Sequence, residues 1–92
     1  MSRRVVVTGM GCISPVGNNV KETWEAILAG KSGVAAITHF DASKHKTRFA
    51  AEVKSFDPVA LFGTREARKM DRFTQFATAV AIEALGQAGL KI

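Results

Sequence analysis

The hydrophobic pattern of the chain begins with a run of β-branched residues and then changes to helical spacing. Residues 4–8 contain three consecutive valines, which predicts a buried strand that ends at Thr8. Gly9 and Gly11 follow, and they allow a backbone geometry or a close approach that larger residues would resist. Further along, apolar residues recur at helical spacing at Val20, Trp24, Ile27 and Leu28. This spacing predicts a helix with one apolar face.

Asparagine and glycine residues predict where that first helix begins and ends. Asn18 or Asn19 is expected to cap its N-terminus. With Asn19 as the cap, Glu22 falls at the third helical position, which is the position that a capping box requires. Gly30 is expected to end the helix as the residue after the C-cap. Residues 31–46 are predicted to form a loop.

A second strand and two further helical segments are predicted in the second half of the chain. Residues 47–53 alternate in a way that predicts a strand. Asp57 followed by Pro58 predicts the start of a short helical turn, which Gly63 ends.

The last predicted element is a long helix that runs from a Thr64 cap to about Ala88, just before Gly89. Its second half, residues 73–85, is apolar nearly all round, so the helix is expected to be buried.

Composition limits the class of protein. The 92 residues are 47% hydrophobic and 23% charged, which fits at most one globular domain, predicted over residues 1–92 without an internal boundary. No apolar run approaches the roughly 20 residues of a membrane span, and the opening run is too short for a secretory signal. The single cysteine, Cys12, excludes an internal disulfide, so a cytoplasmic location is expected. The net charge of +5 favours acidic partners.

Residues 9–14 superficially match the glycine pattern of dinucleotide-binding proteins. However, Ser14 occupies the position of the third glycine, and the next helix is expected to start only near Val20. Its N-terminus would therefore not lie on the glycine turn, where a pyrophosphate has to bind. Glycines that pack a tight turn are the favoured interpretation.

The other candidate reactive residues also favour structural roles. Cys12 lies in apolar surroundings and is predicted to be a small buried hydrophobic residue. Ser14 has no nearby base in the sequence, and Pro15 suggests a turn. His39 and His45 fall in the predicted loop, without a carboxylate at triad-like or metal-like spacing. No catalytic residue, metal or cofactor is therefore assigned.

Four basic residues fall at helical spacing i, i+3, i+4 and i+7, which predicts one positive stripe on the last helix. They are Arg65, Arg68, Lys69 and Arg72. This pattern is compatible with two interpretations: an ordinary solvated helix face, or a docking site for an anionic partner. Nucleic acid is a possible partner, but no aromatic residues are interleaved with the stripe, and no set of side chains for base readout is evident.

Two separated motifs give a more specific indication. Residues 3–17 and residues 68–73 (Arg-Lys-Met-Asp-Arg-Phe) resemble the N-terminal segment of β-ketoacyl-acyl-carrier-protein synthases. Intervening residues fit the same pattern in order, at Trp24, 28–33, 39–41 and 49–50. The resemblance implies an α/β, thiolase-like fold with α-β-α-β-α layers, of which this chain is an incomplete N-terminal portion.

The resemblance also implies an activity and partners. The family condenses an acyl group, held on an enzyme cysteine, with malonyl-acyl-carrier-protein; carbon dioxide is lost and the acyl chain grows by two carbons. The nucleophilic cysteine and two histidines of the family lie beyond residue 92, and Cys12 does not match the nucleophile motif. The chain alone is therefore expected to be inactive, and a homodimer without nucleic acid or membrane insertion is expected for the full-length family protein.

One functional element of the family falls inside the chain. The family docks an acidic, phosphopantetheinylated acyl carrier protein on a basic patch, and the matching positions are Arg65, Arg68 and Lys69. Arg72 extends the stripe, but the family pattern does not require a base there. Two alternatives stay open: a stand-alone, non-catalytic carrier-protein-binding module or remnant, and, more weakly, a basic nucleic-acid-binding domain.

Overall fold

The computed structural model describes residues 2–90, which form five elements in two compact units. The elements are α1 (Val20–Leu28), β1 (Val34–Ala36), β2 (Phe49–Ala51), α2 (Pro58–Arg68) and α3 (Arg72–Ala88). The hairpin unit is Ile13–Phe56. The helical unit consists of the residues up to Cys12 together with the residues from Asp57 onward.

A two-stranded antiparallel sheet organises the hairpin unit. Strands β1 and β2 pair in the register Val34↔Ala51, Ala35↔Ala50 and Ala36↔Phe49. The strand predicted within residues 47–53 is thus confirmed over three residues. The loop predicted over residues 31–46 is wrong at β1, because a strand of three small residues is stabilised by its distant partner and carries no periodic signal of its own.

Helix α1 begins as its sequence predicts. Asn19 is the N-cap, and its Oδ1 accepts a hydrogen bond from the Glu22 amide at 2.8 Å. The Glu22 carboxylate accepts the Asn18 amide at 2.9 Å, so the return bond of the capping box goes to the residue before the cap. The helix ends with Gly30 at φ 71°, whose amide donates to the Ile27 carbonyl at 3.0 Å. The predicted glycine end of α1 is confirmed.

Within the described residues, the packed face of α1 is not its apolar face. Thr23 and Ala26 are its buried residues. Trp24, Ile27 and Leu28, which form the apolar face predicted from spacing, are exposed. Small side chains on the packed face bring the backbone of α1 close to the turn at Gly17, where a β-carbon would overlap the backbone of residues 22 and 23.

Helix α2 starts at the predicted cap and is interrupted where a stop is predicted. The Asp57 carboxylate accepts the Ala60 amide at 3.2 Å, and Pro58 occupies the first helical position. Gly63, at φ 82° and ψ 158°, is non-helical and kinks the helix. The helical conformation resumes and ends at Arg68.

The single long helix predicted from Thr64 to Ala88 is wrong, because the chain leaves the helical conformation after Arg68. Asp71 is extended, at φ −70° and ψ 162°, and caps a new helix, α3. The buried Gln75 side chain donates from Nε2 to the Ala67 carbonyl at 3.1 Å, which compensates a carbonyl at the end of α2. The predicted end of the last helix is confirmed, with Gly89 at φ 74°.

The predicted buried strand at residues 4–8 is also wrong. Residues 4–8 form no strand and have no strand partner among residues 2–90, and Val5 and Val7 are 94% and 80% exposed. A strand needs a neighbouring backbone to accept its hydrogen bonds, which a valine run alone does not supply.

Residues 2–90 alone do not bury the last helix, so its predicted burial stays a prediction. Gln75 is the buried residue of α3, whereas Phe73 and Ile82 are exposed. Across residues 2–90 the buried apolar side chains are alanines: Ala26, Ala42 and Ala67.

Candidate functional site

Three cations lie together at the C-terminal end of α2. Arg65 and Arg68 occupy its last turn, Lys69 is its C-cap, and all three side chains are exposed. Their spacing of i, i+3 and i+4 within one helical stretch places them on one face, as predicted. Basic side chains at this end also interact favourably with the negative pole of the helix dipole. These three residues are called the basic cluster below.

The ion pairing within the basic cluster is uneven. Lys69 Nζ lies 3.8 Å from Glu66 Oε1, in an i,i+3 pair. Arg65 and Arg68 form no ion pair with any residue between 2 and 90. Two of the three cations are therefore not paired with a carboxylate in the part of the chain that is described.

Arg72 does not belong to this face. It is the first residue of α3, beyond the break at Asp71, and its guanidinium lies 4.9 Å from the centre of the Phe76 ring. This distance is typical of a cation–π contact. The four-residue stripe predicted on one helix is therefore wrong for Arg72, because the helix that should have carried it is broken.

The glycine segment, residues 9–12, packs against the backbone of α3. A β-carbon at Gly9 would overlap the Ala84 carbonyl, and one at Gly11 would overlap the Val80 carbonyl. Alternate residues of an extended segment and residues four apart on a helix have similar spacing, so the two glycines match successive turns of α3. The packing role of these glycines is confirmed, but the tight turn expected at them is not found, because residues 9–12 form no turn.

Two polar residues of α3, which the sequence analysis did not single out, bind the amides of the residues that follow each glycine. Gln87 Oε1 accepts the Met10 amide at 2.6 Å, and Glu83 Oε1 accepts the Cys12 amide at 2.9 Å. Both are polar side chains four residues apart in the otherwise apolar C-terminal half of α3, and that spacing is the signal that could have identified them. Cys12 is half-buried rather than fully buried.

Ser14 has the predicted turn role. Its amide donates to the Gly17 carbonyl at 2.8 Å, and the Gly17 amide returns a bond at 3.3 Å. The Ser14 hydroxyl lies 2.9 Å from the Thr23 hydroxyl of α1, and its Oγ accepts the Val16 amide at 3.3 Å. The hydroxyl thus ties the turn to the helix.

The two histidines lie in the predicted loop region, and one of them meets a carboxylate that the sequence analysis missed. Glu52 accepts the Thr38 hydroxyl at 2.9 Å and the His39 amide at 3.3 Å, and its Oε2 lies 3.7 Å from His39 Nε2. Burial tends to raise the pKa of the Glu52 carboxyl, but the hydrogen bonds from Thr38 and His39 and the His39 charge together lower it. The His45 ring packs edge-on against Phe40, with 5.7 Å between ring centres.

A polar cavity of about 440 Å³ lies in the hairpin unit. It is lined by Pro15, Val16, Gly17, Asn18, Glu22, Lys54 and Ser55. The ammonium of Lys54 donates to the carbonyls of Pro15, Gly33 and Glu52 at 3.2, 2.7 and 2.8 Å, which occupies its three donors. Lys54 therefore joins three backbone segments rather than offering a charge to a ligand.

Residues 2–90 contain neither a candidate metal site nor a candidate membrane-spanning helix. No group of three or more His, Cys, Asp or Glu side chains is placed to hold a metal ion. No helix in this range is long and apolar enough to cross a membrane.

Comparison with known proteins identifies the family. The family profile described as "Beta-ketoacyl synthase, N-terminal domain" matches residues 2–92. The chain belongs to the β-ketoacyl synthase family. It is 53% identical over 90 residues to "3-oxoacyl-[acyl-carrier-protein] synthase 2" of Vibrio harveyi, with 98% of the chain and 22% of the relative covered. It is 46% identical over 91 residues to the protein of the same name from Staphylococcus aureus strain COL, with 99% and 22% covered.

A solved structure supports the same assignment. The structure entitled "The ishigamide ketosynthase/chain length factor" superposes with a TM-score of 0.85 at 39% identity, covering 97% of this chain and 22% of that one. The predicted fold class, an N-terminal portion of an α/β, thiolase-like fold, is thus confirmed. The chain spans about a fifth of the length of these β-ketoacyl synthase relatives.

Proposed function

We propose that this chain is part of a condensing enzyme of fatty-acid biosynthesis. The reaction joins an acyl group to malonyl-acyl-carrier-protein, releases carbon dioxide and lengthens the acyl chain by two carbons. The observation that carries the proposal is the 53% identity, over nearly the whole chain, to a relative named 3-oxoacyl-[acyl-carrier-protein] synthase 2.

Within that enzyme, we assign this segment a scaffold role and a docking role, not the nucleophile. Cys12 is the single cysteine of the chain, and it lies half-buried next to Gly11 with its amide bound to Glu83. It does not match the nucleophile motif of the family. The catalytic step is therefore assigned to residues outside this segment.

The basic cluster is the proposed dock for the acyl carrier protein. Arg65, Arg68 and Lys69 present three exposed cations on one face, and the chain as a whole carries a net charge of +5. An acidic carrier is attracted to such a face at long range. Each exposed ion pair is worth only about 0.2–1 kcal/mol, so docking is expected to be fast, weak and sensitive to salt.

The proposal also covers the oligomeric state, location and partners of the whole protein. We propose a homodimer in the cytoplasm that acts on acyl and malonyl thioesters, with no nucleic acid as partner and no insertion into a membrane. The residues 1–92 would form one part of a single N-terminal domain, without an internal boundary.

Charge reversal in the full-length protein tests the dock. Arg68→Glu combined with Lys69→Glu is expected to raise the apparent KM for the acyl carrier protein about tenfold at low salt, because two attractions become repulsions. The kcat measured at saturating carrier protein should change much less. The matched control is Lys44→Glu with Lys46→Glu, which makes the same change of net charge at exposed positions of the hairpin unit.

The two pairs of variants separate a local dock from a general charge effect. A KM that rises only for the Arg68 and Lys69 pair supports the assignment. An unchanged KM for that pair, or an equal rise in the control, would contradict it.

A further inference from the structure

An acidic residue, Glu66, lies next to the basic cluster and can compete with an acidic partner for Lys69. Glu66 lies between Arg65 and Arg68 in the sequence, and its Oε1 is 3.8 Å from Lys69 Nζ. The side chains of Glu66 and Lys69 are 61% and 60% exposed, so water reaches both ends of the pair. Ion pairs of this kind are held weakly and exchange partners readily.

The position of Glu66 on the helix decides which cation it affects most. Residues three apart on a helix are neighbours on its surface, whereas adjacent residues diverge by about 100°. Glu66 is therefore beside Lys69 and turned away from Arg65. Arg68, like Arg65, has no ion-pair partner among residues 2–90. The Glu66 carboxylate therefore pairs with Lys69 and with neither arginine.

We propose that Glu66 restrains carrier-protein docking by competing with the carboxylates of the partner for Lys69. The inference rests on the proposed function of the basic cluster as a dock. An acidic partner that reaches this face must displace the Glu66 carboxylate from Lys69 or approach it against like-charge repulsion. Both effects weaken docking and leave the chemical step untouched, which keeps the complex short-lived enough for the carrier to leave after each turnover.

The first test is Glu66→Gln in the full-length protein, assayed with malonyl-acyl-carrier-protein as the varied substrate. The apparent KM is expected to fall about two- to fivefold at low ionic strength, since one exposed charge interaction is removed. The difference should shrink at about 0.15 M salt, where the Debye length is about 8 Å. The matched control is Glu25→Gln, an exposed carboxylate on α1 that forms no ion pair with residues 2–90, and it should leave the KM unchanged.

A double-mutant cycle shows whether Glu66 acts through Lys69. In a Lys69→Gln background, Glu66→Gln should lower the KM by less than half as much as it does in the unaltered protein. An equal effect in both backgrounds would overturn the proposal, because Glu66 would then act as a general negative charge. A KM that is unchanged or raised by Glu66→Gln in the unaltered protein would overturn it as well.

The outcomes also separate this inference from the dock itself. If charge reversal at Arg68 and Lys69 raises the KM while Glu66→Gln does not lower it, the dock stands and the restraint by Glu66 is wrong. If charge reversal leaves the KM unchanged, the dock is wrong and the restraint fails with it.

Discussion

Gly11 lies so close to Val80 that a β-carbon on residue 11 would overlap the Val80 carbonyl. The two residues come from opposite ends of the described chain, and the contact joins the glycine segment to α3. The Cys12 amide, next to Gly11, donates to Glu83 on the same helix at 2.9 Å. A close backbone approach and a side-chain hydrogen bond thus fix one short segment on α3.

Replacing Gly11 with alanine is therefore expected to destabilise the protein. The added methyl group must displace backbone rather than a flexible side chain, and overpacking of this kind costs about 1–3 kcal/mol. The measurement is the free energy of unfolding of the full-length protein from urea denaturation. The control is Gly86→Ala, where no atom lies within 4 Å of the new β-carbon and a helical glycine is replaced.

Gly86→Ala should be neutral or stabilising by up to about 1 kcal/mol, because alanine favours the helix. Equal stability of Gly11→Ala and the unaltered protein would mean that residues 9–12 do not pack on α3 as described.

The Glu52 carboxylate holds the loop after β1, and this contact predicts a dependence of stability on pH. Its pKa is lowered from the ordinary 4.5, since hydrogen bonds from Thr38 and His39 and the His39 charge outweigh the effect of burial. A carboxyl group with a lowered folded-state pKa contributes stability above its ordinary pKa. That contribution is lost as the pH falls through the folded-state pKa.

The Glu52→Gln variant tests this linkage. The unaltered protein should be the more stable of the two above pH 4.5, and the difference in unfolding free energy should close as the pH falls below that value. Unfolding free energies of both proteins across this pH range are the measurement. A difference that stays constant with pH would show that the carboxylate charge does not hold Thr38 and His39.

Features set by near neighbours in the sequence were predictable. The Asn19 cap, the Asp57 and Pro58 start and the glycine ends at Gly30 and Gly89 all depend on contacts within about four residues. Two features that failed, the loop assigned over β1 and the strand at residues 4–8, depend on partners far along the chain. β1 forms by pairing with residues 13 to 17 positions later, and the valine run at residues 5–7 has no strand partner in the described range.

The candidate site divides in the same way. The shared face of Arg65, Arg68 and Lys69 follows from helical spacing alone, because the helix is continuous through them. Spacing could not reveal that Asp71 would start a new helix and take Arg72 off that face. The spacing of Glu83 and Gln87 could single out that pair, but only the fold shows that Glu83 binds Cys12, 71 residues away.

Arg72 provides the sharpest contrast with the basic cluster, because its charge is held in another contact. Its guanidinium lies 4.9 Å from the centre of the Phe76 ring, whereas Arg68 is exposed without an ion pair in residues 2–90. Arg72→Met is expected to lower the free energy of unfolding by about 0.5–1 kcal/mol, the size of an exposed cation–π contact. The KM for the acyl carrier protein should change less than about twofold.

Arg68→Met should give the opposite pattern, because both variants keep an unbranched apolar stem and remove one positive charge. Its KM for the carrier protein should rise about two- to fivefold, while its unfolding free energy stays within about 0.5 kcal/mol of the unaltered protein. The two quantities measured on both variants separate docking from packing. If Arg72→Met raises the KM as much as Arg68→Met does, the positive stripe extends across the helix break, and the dock is larger than the three residues assigned to it.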